Sequence, residues 1–165
     1  MKGRMSLVVW PLAASLAACV TVSPPPTIHG LPASISYETG PCFGACPVYK
    51  VTVGADGQGL FDGRRFTTVT GERRFVLSPA QYRAFAEHLA PLRPVSGSIR
   101  LDASPACTRM ATDLPSASVT WRSGDEEQSL YYYFGCDMET RKAMAERLRA
   151  APALLPIGGF IRAES

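Results

Sequence analysis

Five cysteines carry the most reactive groups of this chain: Cys19, Cys42, Cys46, Cys107 and Cys136. A cysteine thiolate attacks disulfides and electrophiles or binds a soft metal, and in an oxidising compartment it pairs instead. Three readings fit the later four. A structural bridge needs Cα atoms within about 7 Å, which a five-residue turn from Cys42 to Cys46 with Gly44 at its centre can satisfy. Redox exchange prefers C-x-x-C, and here the spacing is one residue longer. Zinc accepts C-x3-C as half of a ligand set, but neither Cys107 nor Cys136 brings a close second ligand. Structural disulfides are the favoured reading, with no metal and no cofactor expected.

The other groups able to do chemistry are sparse. His88 lies late in a helix, in Ala-Glu-His-Leu, where a cation suits the carbonyl end. No G-x-S-x-G, H-E-x-x-H or G-x-x-x-x-G-K run is present. Glu126-Glu127 read as solvated turn residues, and Asp113 before Leu114-Pro115 reads as a turn former. No catalytic residue is assigned, and the chain is not expected to be an enzyme.

Cys19 has a different context. Lys2 and Arg4 precede an apolar stretch from Met5 to Ala18, interrupted by Ser6, Pro11 and Ser15. That stretch is too broken for a spanning helix, which needs about 18 apolar residues in a row. Leu16-Ala17-Ala18-Cys19 resembles a lipobox, which implies cleavage after residue 18 and acylation of the Cys19 thiol. Buried methylenes contribute about 0.8 kcal/mol each, so two or more acyl chains anchor stably. The expected location is the periplasmic side of the cell envelope, on the outer rather than the inner membrane, with the lipid bilayer as partner through Cys19. Loss of residues 1–18 takes basic residues from 17 to 15 against 14 acidic, leaving a formal charge of about +1. That is no argument for nucleic acid. Arg64-Arg65 and Arg73-Arg74 read as solvent-facing strand residues.

Acylation of Cys19 leaves an even four thiols. Three pairings are open, of which Cys42–Cys46 and Cys107–Cys136 are preferred. Cys107 precedes an aromatic hairpin and Cys136 follows it, so the hairpin can bring them together.

The elements that must position these groups follow from periodicity and turn residues. Residues 1–18 are the signal and 19–34 a tether whose Pro24-Pro25-Pro26 favours extended geometry, with His29 incidental. About fifteen tether residues at ~3.1 Å each reach ~45 Å. Residues 35–155 suffice for one core. Strands are expected at Ile35–Thr39, Val48–Val53 and Leu60–Asp62, with a hairpin of Phe66–Val69 and Arg73–Leu77 about Gly71-Glu72. Ser78, Pro79 and Gln81 spell an N-cap, a first helical residue and a capping box, with Leu77 and Tyr82 as staple and Tyr82, Phe85 and Leu89 as buried stripe. Residues 95–117 read as an irregular connector. Val119–Arg122 and Leu130–Phe134 form a hairpin, and Asp137 is expected to cap a second helix with Met138, Met144, Ala145 and Leu148 inward. The fold class is α+β: antiparallel β-hairpins with two helices on one face, order ββββ-α-ββ-α, in one compact domain, followed by a flexible tail over 156–165.

The run Pro41-Cys42-Phe43-Gly44-Ala45-Cys46-Pro47-Val48-Tyr49, with Asp56-Gly57 and Thr112-Asp113-Leu114-Pro115, resembles the bacterial family DUF6438, a domain of unknown function with a C-F-G-x-C-P-x-Y opening. The resemblance covers roughly residues 34–149. It implies an exported protein. It also implies that Cys42 and Cys46 belong to the motif while Cys107 and Cys136 are a local addition, which favours the pairing above. It supplies no activity.

Tyr131 and Tyr133 lie on the strand face opposite Tyr132 and Phe134, and form a possible contact surface for a protein, peptide or glycan. The functional expectation is a membrane-anchored, non-catalytic interaction or envelope accessory domain. The alternative is a thiol–disulfide active protein using Cys42 and Cys46.

Overall fold

The structure is a computed structural model that describes residues 30–161. The signal, Cys19, the tether up to His29 and the last four residues lie outside the described residues.

Seven strands make one sheet: β1 (Ser34–Thr39), β2 (Val48–Gly54), β3 (Gln58–Arg65), β4 (Gly71–Val76), β5 (Ser98–Leu101), β6 (Ser116–Ser123) and β7 (Glu126–Tyr133). Their order across the sheet is β4-β3-β2-β1-β6-β7-β5. All neighbours are antiparallel except β5, which runs parallel to β7. Helix α1 (Pro79–Leu89) carries the chain from the β4 edge toward the β5 edge, and α2 (Lys142–Ala150) follows β7. The protein is an α+β domain.

Alternation decides the faces. Ile35, Tyr37, Val51, Val53, Val119, Trp121, Leu130 and Tyr132 point to one side and are buried. Tyr82, Phe85 and Leu89 of α1 and Ala145 and Leu148 of α2 join them in one core. Ser36, Thr52, Ser118, Thr120 and Ser129 take the other side and are half-exposed. Aromatic rings continue across the core side of the sheet, with Tyr37 and Tyr49 6.4 Å apart and Tyr49 stacked on Phe61 at 5.3 Å.

The start of α1 follows its sequence signals. Ser78 Oγ accepts from the Gln81 N–H at 3.2 Å, and Gln81 Oε1 accepts from the Ser78 N–H at 2.8 Å. The start of α2 does not. Asp137 is no cap; α2 begins at Lys142 behind Arg141, without a side-chain cap bond. The Asp137 carboxylate instead accepts from the Thr108 N–H, the Thr108 hydroxyl at 2.7 Å and the Arg109 N–H at 2.8 Å. A long-range clamp has taken the acceptor that a local cap needs. Met138 therefore lies in the turn before the helix and is exposed, while Met144 is half-buried against the core.

Three further expectations are corrected. The 95–117 connector contains β5, a four-residue strand too short for its alternation to stand out. Phe66–Val69 is not a strand: Phe66 takes φ 56° and Thr67 Oγ1 turns back onto the Val69 carbonyl, so β4 pairs directly with β3. The segment 156–161 is packed, with Ile157 fully buried, Phe160 against Phe61 and Ile161 bridged to Thr67. No described helix is long and apolar enough to cross a membrane.

Candidate functional site

β1 ends at Thr39, and the next residues are Gly40 and the Pro41–Pro47 loop. Gly40 donates to the Ser116 carbonyl at 2.9 Å, so the chain leaves the sheet against the start of β6. Cys42 and Cys46 then close the loop, with bonded sulfurs and Cα atoms 5.8 Å apart. Gly44 sits between them at φ 142°, a conformation side-chain-bearing residues rarely adopt. Thr39 Oγ1 fastens the return of the chain: it donates to the Pro47 carbonyl at 2.8 Å and accepts from the Tyr49 N–H at 3.1 Å. A bulge at Val48/Tyr49 shifts the register against β3, and both residues are buried.

The second motif segment meets the first. The Phe43 N–H donates to the Asp113 carbonyl at 3.1 Å. Asp113 takes φ 68°, with the Thr112 hydroxyl 3.1 Å from its carboxylate, a local turn of the kind its sequence suggested. The Leu114 N–H donates to the Tyr133 hydroxyl at 3.2 Å. Residues far apart in sequence thus form one surface at the Thr39 end of β1. Phe43 stands out from it, 87% exposed.

Beside this surface lies a cleft of about 360 Å³. Cys46, Pro47, Tyr49 and Pro115 line it from the motif segments, Tyr37 and Phe134 from the sheet, and Arg149 from the end of α2. Burial pushes the hydroxyls of Tyr37 and Tyr49 well above the ordinary tyrosine range, while the Arg149 charge pulls Tyr37 the other way. Tyr37 donates to the Leu148 carbonyl at 2.9 Å, which ties β1 to α2. Arg149 stacks on Phe134, 4.4 Å from the ring centroid.

Pro41, Cys42, Phe43, Gly44, Cys46, Pro47, Tyr49, Thr112, Asp113 and Pro115 therefore come together. Asp56 and Gly57 do not: they form the β2–β3 turn at the opposite end of the sheet, where Asp56 Oδ1 accepts from the Gln58 N–H at 3.0 Å. Tyr131 and Tyr133 are half-buried. The Arg100 guanidinium covers Tyr131 at 4.0 Å, and Tyr133 supports the 112–115 loop. His88 is half-buried at the helix end, its Nε2 2.8 Å from the Arg147 carbonyl, while Arg147 donates to the His88 carbonyl. Tyr37, Ser116 and Arg149 were not singled out from sequence. The one signal for Arg149 was a cation in the last turn of a helix.

Cys107 and Cys136 form the second bonded pair, Cα atoms 5.3 Å apart, and both are buried. No match to a curated protein is found. A family model described as a domain of unknown function matches residues 33–152, spanning both motif segments and the whole cleft except Ile161. The chain belongs to that family, DUF6438.

Proposed function

We propose that this protein is an exported, lipid-anchored binding domain without catalytic activity, and that the 41–49 and 112–115 segments are its contact surface. The observation that carries this reading is Phe43: a large apolar ring, 87% exposed, on a loop held by a disulfide and by a backbone bond to Asp113. Burying such a ring at an interface contributes about 1.5–3 kcal/mol, and a fixed loop loses little conformational entropy on docking. Arginine and aromatic residues beside it are the types that dominate binding surfaces. Two disulfides suit an exported protein.

The topology also supports a partner away from the anchor. The chain enters β1 beside the β2–β3 turn, where Ala33 donates to the Arg122 carbonyl and Ala55 to the Ala33 carbonyl. The contact surface lies at the other end of β1, six residues away, a separation of about 17–20 Å at strand rise.

The test places a photo-crosslinking amino acid at Phe43 in the chain produced in cells. A discrete protein adduct from position 43, absent when the same group replaces Val95, is expected. No adduct at 43 overturns the binding reading. Anchoring is tested separately, since Cys19→Ser must release the protein from membranes; persistence of acylation in that variant overturns it.

The second reading is thiol–disulfide exchange, favoured by the half-exposed state of Cys42 and Cys46. A reduction potential below about −300 mV marks the pair as structural, and a more oxidising value marks it as active.

A further inference from the structure

The cleft beside Phe43 has a chemistry of its own. Its walls are aromatic and proline surfaces: Tyr37, Tyr49, Phe134, Pro47 and Pro115. Its charged lining residue is Arg149, and no lining residue carries a carboxylate. Among the described residues no acid pairs with that guanidinium. Arg149 also borders the neighbouring hollow across Phe134, where Glu139 and Glu146 are its fellow lining residues, but those acids pair with Arg109 at 2.8 Å and Lys142 at 3.8 Å. Tyr49 is 4% exposed as a residue and lines the cleft, and its hydroxyl makes no hydrogen bond to another described residue while keeping access to solvent. A hydroxyl open to the cleft and without a protein partner is free to donate to a ligand carboxylate. Stacking on Phe134 holds the Arg149 plane in place while leaving its N–H groups able to take a carboxylate in bidentate fashion.

We infer that the cleft receives a short acidic segment of a partner protein, its carboxylate held by Arg149 and the Tyr49 hydroxyl and its adjoining apolar or proline residues laid on Tyr37, Phe134 and Pro115. The inference rests on the binding role proposed above and names the chemistry of the partner. A volume of about 360 Å³ lies at the lower end of ligand sites, room for two or three residues. Phe43 stands outside that volume, on the loop whose Cys46 lines the cleft, so the contact continues past the pocket. That continuity favours a polypeptide over a small free acid. Proline suits such walls because its ring packs on aromatic faces and its backbone is already extended.

The experiment selects a phage-displayed library of random heptapeptides against the purified, disulfide-intact protein. An enriched peptide is then measured by fluorescence anisotropy with its acid present and with that acid changed to the amide. Enriched sequences should carry Asp or Glu beside apolar residues or proline. The amide version should bind at least about tenfold more weakly, the loss of one charge-assisted pair. Arg149→Gln should produce the same loss and remove the difference between acid and amide, whereas Arg149→Lys should restore part of it. Tyr49→Phe should weaken the acid peptide more than the amide. Circular dichroism of each variant checks that the fold is retained.

Enrichment without acidic residues, or equal binding of acid and amide, overturns the inference. So does an absence of any enriched peptide, or tighter competition by free acetate or a fatty acid than by the peptide. Crosslinking through position 43 that is indifferent to Arg149→Gln also overturns it, while leaving the binding role intact. Loss of the crosslink itself defeats the binding role.

Discussion

The two disulfides stand in opposite environments. Cys42–Cys46 closes a loop with a sequence separation of 4 at the half-exposed rim of the cleft. Cys107–Cys136 spans a separation of 29, and both sulfurs are buried. The second joins the 102–115 connector to the end of β7, and polar bonds reinforce the junction: Ala111 donates to the Gly135 carbonyl, Asp137 to the Arg109 carbonyl, and the Tyr132 hydroxyl to the Cys136 carbonyl at 2.9 Å. The first has fewer such supports and carries an exposed phenylalanine. A bridge that closes a long loop removes more freedom from the unfolded chain than one that closes a short loop. The long bridge thus bears chiefly on stability, and the short one on the shape of a surface.

This contrast can be broken by experiment. In the chain-entropy picture, Cys107→Ser/Cys136→Ser should lower unfolding free energy by about 3–4 kcal/mol, and Cys42→Ser/Cys46→Ser by about 2 kcal/mol or less. Urea denaturation of both variants measures the two losses, and equal losses would remove the distinction. Limited reduction followed by alkylation and peptide mapping sharpens it. Cys42 and Cys46 should be labelled well before Cys107 and Cys136, because a buried disulfide must wait for local opening.

A smaller effect is expected at Asp137. Hydrogen bonds from the Thr108 hydroxyl and from the Arg109 and Thr108 N–H groups hold its carboxyl down to about 2, against an ordinary 3.8. Because the folded value is depressed, the charge contributes stability that is fully present above the ordinary value and is lost as pH falls through about 2. Asp137→Asn should therefore melt below the wild type at neutral pH, with the gap closing toward pH 2. A gap that does not change with pH would show that the carboxylate's charge is not what holds the connector. Smallest of all should be the stability change of Phe43→Ala, within about 0.5 kcal/mol as for other exposed positions. Its effect belongs to the crosslinking and binding measurements, and a large fall in Tm would place Phe43 in the core logic of the domain instead.

Legibility in the sequence followed the range of the interactions. The start of α1 could be read because a cap, a proline and a capping-box glutamine act within four residues of one another. Strands β1, β2, β6 and β7 could be read because one buried face forces alternation. β5 could not, since its parallel partner β7 lies about thirty residues onward and its pattern spans four residues. Asp137 misled because a side chain that suits a cap suits any cluster of free N–H groups, and the Thr108–Arg109 backbone reached it first. The packing of Phe160 and Ile161 was hidden behind Gly158-Gly159, which read as a loose end.

The site divides the same way. The sequence by itself determined the short Cys42–Cys46 spacing around Gly44 and the turn character of Asp113, since each is local. It left three disulfide pairings open and offered Cys42–Cys46 with Cys107–Cys136 only as the preferred one. Only the tertiary structure decided that Phe43 meets Asp113, that Asp56-Gly57 lies at the far end, and that Arg149 and Tyr37 complete the cleft. Those pairings join residues up to about a hundred apart, and nothing local distinguishes Arg149 from Arg147 until α2 packs against β1 through the Tyr37 hydroxyl.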